Sequence, residues 1–570
     1  MAEVKMVRLR DVLRWAGPIL GPDRSFFALA IVYGTGVGLL SLATPISVQM
    51  LINSINTGLA TPLLVLSASL FVLLLLWALL SALRTYVMEI FRRRFMARLV
   101  AEITVRAVHA ENPYFQDQRR ADLFNRYFEV MTIHKAIPSL FVGGFTVALQ
   151  AAVGIVLTSF YHPFFLVFNL LFVGLVWVIW EVWSRPAMRT AVELCGEKYE
   201  IAHWLETVGA SDGFYKTARH LDYAMKRSEE QTKTYVKAHS RHFHKVFPQK
   251  LSLYVLYALA SAGLLGLGGW LVINEQLSIG QLVAAELILA GVFLSSAQFG
   301  HYLQDFYDLV AGLNKLDQLY SLEQEARSQG VKAALPRSGT LTFNNVQFRT
   351  PAGVTRFDLT IPEGANLLAA GEPGTSRLIA NLLKRHMKPD SGLTLLGGVD
   401  IMELDIFELR AEVIVIDRPT IVETTIADYL ALANRTGDRA AVMKALRLVG
   451  LDDRIAMLPD GMQTLLSATG WPLSLPKTIQ LKLAAAILSE PRILVLSPVC
   501  DMIPKDRLEA VFQHLADKRT TLLYFSNRPE EMRLDGFLWM GRDEQRIVKD
   551  RSAFNALRAG SGKGPALVVA

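Results

Sequence analysis

The sequence predicts an α-helical membrane domain of six spans followed by an α/β domain with a largely parallel sheet. Three observations predict it. Six stretches are long and apolar enough to cross a bilayer, which takes about 20 residues: 25–51, 59–83, 136–160, 163–180, 251–273 and 280–303. Lysine and arginine crowd alternate connections and are missing from the others. After residue 340, β-like runs such as LTFNNVQF, VIVI and RILVL alternate with helical patterns, as they do in layered α/β domains.

The spans come first. Residues 25–51 and 59–83 carry no charge, and 280–303 carries one, Glu286. Such runs exceed ordinary buried helices, so a soluble chain is excluded. The balance of 52% hydrophobic to 19% charged residues agrees with that reading. Residues 1–24 are charged on both flanks of a short amphipathic stretch and lack the long apolar core of a cleavable signal. They read as an interfacial helix leading into the first span.

Orientation follows from Lys and Arg. The connections at 52–58, 161–162 and 274–279 contain neither, whereas the N-terminus, 84–135 and 184–250 are rich in both, as at Arg92, Arg93, Arg94, Arg98, Arg119 and Arg120. These three segments and everything after 303 are therefore expected in the cytoplasm, with the lipid bilayer as solvent for the spans and the inner (plasma) membrane as the expected location. The net charge of +7 is thereby mostly topology rather than nucleic-acid binding. Cys195 and Cys500 are too far apart in sequence for a CxxC metal site and read as reduced packing residues. His242 and His244 lie in a basic hairpin, and no metal site is expected.

The two long cytoplasmic connections have helical patterning and reach an expected 35–45 Å or so from the membrane. Residues 322–339 read as a linker, 340–552 as the α/β domain and 553–570 as a flexible tail. The stretches LLSLATPISVQMLINSI (39–55), NPYFQDQRRADLFNRYFEV (112–130) and GGWLVINEQLSIGQLVAAE (268–286) resemble exporter-type ATP-binding cassette (ABC) membrane domains. The order of segments after 340 is similar to a cassette nucleotide-binding domain from end to end. The implied fold class is an ABC-exporter six-span transmembrane domain, 25–321, followed by an α/β P-loop NTPase-like nucleotide-binding domain. The resemblance places short coupling helices near 112–120 and 205–213.

The chemistry of that family is not where it should be. A phosphate loop needs G-x-x-x-x-G-K-[ST], with Gly for backbone approach, Lys for the phosphates and a hydroxyl for Mg²⁺. The matching positions are Gly371, Ser376, Arg377 and Leu378, with Gly374 also kept. Leu378 has no oxygen for a metal, and Arg377 keeps charge without replacing Lys in a tight loop. The strand RILVL should end in Asp-Glu but is followed by Ser497 and Pro498. The resemblance further assigns the adenine-stacking position to Thr350, the Gln after VIVI to Asp417 beside Arg418, the signature loop to Leu473, Ser474, Leu475, Pro476 and Lys477, the switch His to Asn527 and a further Asp to Pro504. A Gly-Lys pair in the polar tail at 559–564 lacks the following hydroxyl and is a decoy.

The expectation is therefore a pseudo-ATPase with no catalytic residues of its own. Weak ATP binding through Gly371, Gly374 and Arg377 is the only cofactor reading left. A composite site takes its signature loop from a second chain, and here both halves are lost. The chain is expected to dimerise with a second half-transporter, as a homodimer or in a heteromer. The alternatives are a non-transporting regulatory or structural scaffold and an inactive subunit of a heteromeric exporter. A hydrophobic or lipid-like cargo is one reading, with Glu286, Gln49 and Gln298 as candidate cavity residues. Ala290, Phe293, Ala297 and Gly300 are expected on the helix face of Glu286. Prolines 476 and 498 are expected to divert their loops.

Overall fold

The computed structural model describes residues 7–55, 60–111, 122–211, 213–325, 333–350, 353–372, 374–435, 437–528, 534–542 and 544–560. The chain divides into two compact units, Met1–Glu325 and Ala326–Ala570.

The first unit is helical. Among the described residues, six stretches are long and apolar enough to cross a membrane: Leu9–Ile52, Leu63–Val108, Phe124–Ser159, Pro163–Gly209, Ala218–Ile273 and Ile279–Tyr320. The short helix α1 (Leu9–Leu20) buries Val12, Trp15 and Ile19 while Leu9 and Leu13 stay exposed. At its end Asp23, fully buried, pairs with Arg98 at 2.7 Å, which ties the chain entry to a later helix. The first predicted span is divided into α2 (Arg24–Leu40) and α3 (Ala43–Ile55). Pro45 has no N–H to carry the helical ladder across that point. Helix α4 (Ala60–Val108) exposes Leu64, Phe71, Leu75 and Leu79. An apolar surface of that extent is explained by lipid rather than by water.

Helices α5 (Glu129–Pro138) and α6 (Phe145–Ser159) are joined by a π-helical turn, Ser139–Gly144. Helices α7 (Pro163–Gly209) and α8 (Ala218–Ile273) run far beyond their spans, and α9 (Ile279–Tyr320) completes the unit. The parts of α7 and α8 outside 163–180 and 251–273 are about 43 and 50 Å long at 1.5 Å per residue. The expected coupling segment at 112–120 lies outside the described residues. The second, at 205–213, coincides with the last turn of α7 and a turn at Gly213, followed by a 3-10 turn, Phe214–Lys216.

The linker and tail differ from expectation. Residues 322–325 are held to the end of α4, where Glu111 and Glu325 exchange backbone hydrogen bonds with Glu323 and His109. Residues 326–332 lie outside the described set, and Ala333 already bonds Glu403 in the second unit. The segment expected as a flexible tail begins as a helix, Arg551–Gly560, because Phe554 is fully buried and its ring stacks on Phe537 at 5.0 Å. Residues 561–570 lie outside the described set.

The second unit is α/β. An antiparallel sheet has the order β2-β1-β4-β5, from β1 (Leu341–Thr350), β2 (Gly353–Ile361), β4 (Ser391–Leu396) and β5 (Val399–Asp400). A six-stranded sheet has the order β12-β11-β3-β10-β9-β6. Its members are β3 (Asn366–Gly371), β6 (Val413–Ile416), β9 (Ile493–Leu496), β10 (Thr521–Phe525), β11 (Gly536–Met540) and β12 (Gln545–Val548). All its pairings are parallel except that of β12. A small antiparallel pair, β7 (Thr424–Thr425) with β8 (Leu465–Leu466), stands apart. The helices are α10 (Thr375–Leu383), α11 (Ile406–Glu412), α12 (Ile426–Ala433), α13 (Arg439–Val449), α14 (Asp452–Ala456), α15 (Leu475–Leu488), α16 (Lys505–Asp517) and α17 (Arg551–Gly560). Strands β9, β10 and β11 are buried along their whole length, as strands covered on both faces must be.

Candidate functional site

In a parallel α/β sheet, ligands sit beyond the carboxyl ends of the strands. The register sets four such ends side by side. Ile416 pairs with Leu496, Leu496 with Tyr524, and Phe525 with Ala369. The residues that follow are Asp417, Ser497, Ser526–Asn527 and Gly371. Neighbouring strands are about 4.8 Å apart. The positions assigned from sequence to one nucleotide site therefore do converge on one rim.

What stands at the rim is fold-forming. Gly371 ends β3, and a Cβ there would come within 2.5 Å of the Met540 carbonyl oxygen, so the strand contact alone demands glycine. Gly374 caps α10 at φ +95, a left-handed conformation that favours glycine. Arg377 is exposed on the first turn of α10, and Ser376 is half-buried beside it. Leu378, at the position of the metal-holding hydroxyl, is 1% exposed and packs in the core with Leu382, Leu404 and Leu409.

At the end of β9, Ser497 caps a 3-10 turn over Pro498–Met502, its hydroxyl accepting from the Val499 N–H. Cys500 behind it is fully buried, and that burial pushes its thiol up to about 12. Asp501 then accepts three hydrogen bonds: from the Tyr524 hydroxyl, from the Ser526 hydroxyl at 2.8 Å and from the Asn527 N–H at 2.9 Å. Burial, and then the Asp501 carboxylate, push the Tyr524 hydroxyl above its usual range. Asn527 thus bonds through its backbone, and its side chain is exposed. Pro504 is the N-cap of α16.

The signature positions open α15. Leu473 is buried and Ser474 is the N-cap. Pro476 falls in the first turn of α15 and Pro498 opens its 3-10 turn, where a missing N–H costs nothing. Each proline thus fits a helix start. Lys477 reaches toward the Gly450 carbonyl, 3.5 Å away, at the C-terminal end of α13. Asp417 and Arg418 are both exposed, with a 3.7 Å ion pair between them. Thr350 ends β1 opposite Gly353.

Two groups had no signal in sequence. Asp501 sits two residues before the Ile503–Pro504 pair and reads as turn polarity until β10 brings Tyr524 to it. Lys482, inside the apolar run of α15, donates to the carbonyls of Arg418 at 2.7 Å and Thr420 at 3.0 Å. Burial lowers its pKa, while the Asp417 charge opposes that fall.

The three candidate cavity residues are not brought together. Gln49 accepts from the Tyr161 hydroxyl at 2.8 Å. Glu286 and Gln298 are exposed on α9, about 120° apart around the helix for a separation of twelve residues. Glu286 and the residues expected on its face lie within about 80° of one another around α9, yet their burial differs along it. Ala290 is exposed like Glu286, but Phe293, Ala297 and Gly300 are buried, because the rings of Phe168 and Phe172 on α7 cover α9 at Phe293. Outside the spans, His242 bonds the Thr190 hydroxyl at 2.9 Å.

Comparison with known proteins agrees with this architecture. Residues 27–208 match the model of the ABC transporter transmembrane region. The chain is 25% identical to the exotoxin translocation ATP-binding protein PaxB of Pasteurella aerogenes over 84% of its length and 68% of that protein's. It is 23% identical to the alpha-hemolysin translocation ATP-binding protein HlyB of Escherichia coli over 90% of its length and 74% of that protein's. A solved bacterial Atm1-family ABC exporter with ATP bound superposes with a TM-score of 0.76 at 17% identity, covering 96% of this chain and 100% of that one.

Proposed function

We propose that this multi-pass membrane subunit, which has the ABC-exporter fold and is homologous to toxin-translocation exporters, works as one half of a dimer and does not hydrolyse ATP itself. The observation that carries the reading is Leu378. It has no oxygen, and its side chain is locked in the core rather than facing the rim. Ser497 and Pro498 supply neither a metal carboxylate nor a base, and loss of a base alone costs about 10²–10⁴ in rate. Gly371 and Gly374 are accounted for by backbone contact and φ. The residues present therefore do not fit Mg²⁺-ATP.

The N-terminus, the long hairpins and the second unit are read as cytoplasmic, in the plasma (inner) membrane, from the Lys and Arg distribution. The cargo is read as hydrophobic or lipid-like. In a heteromer, the partner's composite site would have to work with Leu475, Pro476 and Lys477 in place of a glycine loop. Mass determination of the purified protein in detergent separates homodimer from heteromer.

An ATPase assay on the full chain in lipid nanodiscs tests the reading. The expected result is the same background rate for the wild type and Arg377→Ala. Mg²⁺-dependent turnover that Arg377→Ala abolishes would overturn it.

A further inference from the structure

The cytoplasmic extension of the first unit contains a cavity of about 520 Å³, within the range of small-ligand sites. Its walls are the 3-10 turn Asp122–Phe128, the end of α7 and the start of α8. Trp204 is its buried anchor, held by a 2.8 Å hydrogen bond from its indole N–H to the Ser228 hydroxyl. The Arg227 guanidinium lies over the Trp204 ring, 5.1 Å from its centroid. Among the described residues Arg227 makes no hydrogen bond and no ion pair.

That combination is informative. A guanidinium held against an aromatic face has lost little of its hydrogen-bonding capacity, and its planar fork matches a carboxylate or phosphate. Arg126 brings a second guanidinium to the same cavity, against one acid, Glu200. Tyr223 and Gln231 add a hydroxyl and an amide that have no partner among the described residues. A lipid headgroup is out of reach: Trp204 lies 24 residues past the end of the span at Trp180, about 36 Å along α7.

We propose that this cavity binds a small soluble organic oxyanion, a carboxylate or a phosphate ester, with Arg227 and Arg126 as its charge partners. Binding there would bridge α7, α8 and the turn before α5, the segments that continue into three spans. The site is separate from the rim of the second unit, so its failure would leave the pseudo-ATPase reading untouched.

Isothermal titration calorimetry on the full chain in nanodiscs provides the test, with phosphoenolpyruvate, inorganic phosphate and citrate as probes. Saturable binding of at least one probe is expected. Arg227→Gln should weaken it at least about tenfold, the loss of a charge-assisted pair. Arg227→Lys should not restore it, because an ammonium lacks the fork. Arg377→Ala, in the other unit, should leave it unchanged. If Arg227→Gln fails to fold, Arg126→Gln carries the same expectation. No saturable heat from any probe overturns the proposal. So does binding that survives both arginine changes, or binding lost only with Arg377→Ala, which would place the anion in the second unit.

Discussion

Two turns at the rim of the parallel sheet, β3 to α10 and β9 to α16, are held in place by different kinds of interaction. The first was filled from below: Leu378 turns inward and joins the core. The second was filled from the side: Asp501 gathers a buried tyrosine hydroxyl, a serine hydroxyl and a backbone N–H. Burial of a leucine gives about 1.5–3 kcal/mol and needs no partner. A carboxylate network is favourable only while every member is satisfied. One turn is thus held by apolar packing and the other by a polar network, and their responses to substitution should differ.

The largest effect is expected at the apolar turn. Leu378→Ser leaves a cavity and a buried hydroxyl, costing about 3–5 kcal/mol. Thermal unfolding of the full chain in detergent should fall by roughly 10 °C. An unchanged melting temperature would mean that Leu378 is not part of the core, and the comparison would collapse.

Asp501→Ala comes next, at about 2–3 kcal/mol, because the Tyr524 hydroxyl is left buried without its acceptor. Hydrogen exchange should quicken at residues 522–527 and stay unchanged across α10. Equal acceleration in both segments would show that the two turns are one cooperative unit.

Lys482→Ala should cost about 1 kcal/mol, the worth of its carbonyl contacts after desolvation. Because those contacts hold the loop at Arg418–Thr420, hydrogen exchange at the Thr420 and Ile421 amides should become about fivefold faster. An exchange rate equal to wild type would show that the loop is held by something other than Lys482. The smallest effect belongs to Arg377→Ala, within about 0.5 kcal/mol, as for an exposed side chain outside any core. A larger loss would give the remnant phosphate loop a structural part that its exposure does not suggest.

Several of these residues were legible from sequence and several were not. Leu378 was recognised as unable to hold a metal, since a side chain's chemistry is local. That it had become a core residue was not, because burial depends on β1, β3 and α11 arriving around it. Gly371 and Gly374 were read as phosphate-binding remnants, and the Met540 carbonyl and a left-handed φ also call for glycine at these positions. Pro476 and Pro498 were expected to divert their loops, and both stand at the starts of helical turns. Asp501 gave no signal, since its partners are 23 to 26 residues away.

The sequence by itself determined the six spans, their expected orientation and the order of strands and helices after residue 340. Hydropathy and charge act along the chain, and a 20-residue apolar run has few alternatives to crossing a bilayer. It also determined that Leu378 has no oxygen and that Ser497 and Pro498 have no carboxylate, which folding cannot change. Only the tertiary structure decided what surrounds them. It paired β6, β9, β10 and β3 so that four distant segments share one rim, turned Leu378 under it and brought Tyr524 onto Asp501. It likewise buried Phe293 but left Glu286 exposed on the same face of α9 by laying α7 across it at Phe293, and stacked Arg227 on Trp204 across the α7–α8 turn. Each of these depends on contacts between residues far apart in sequence, whose geometry no local pattern encodes.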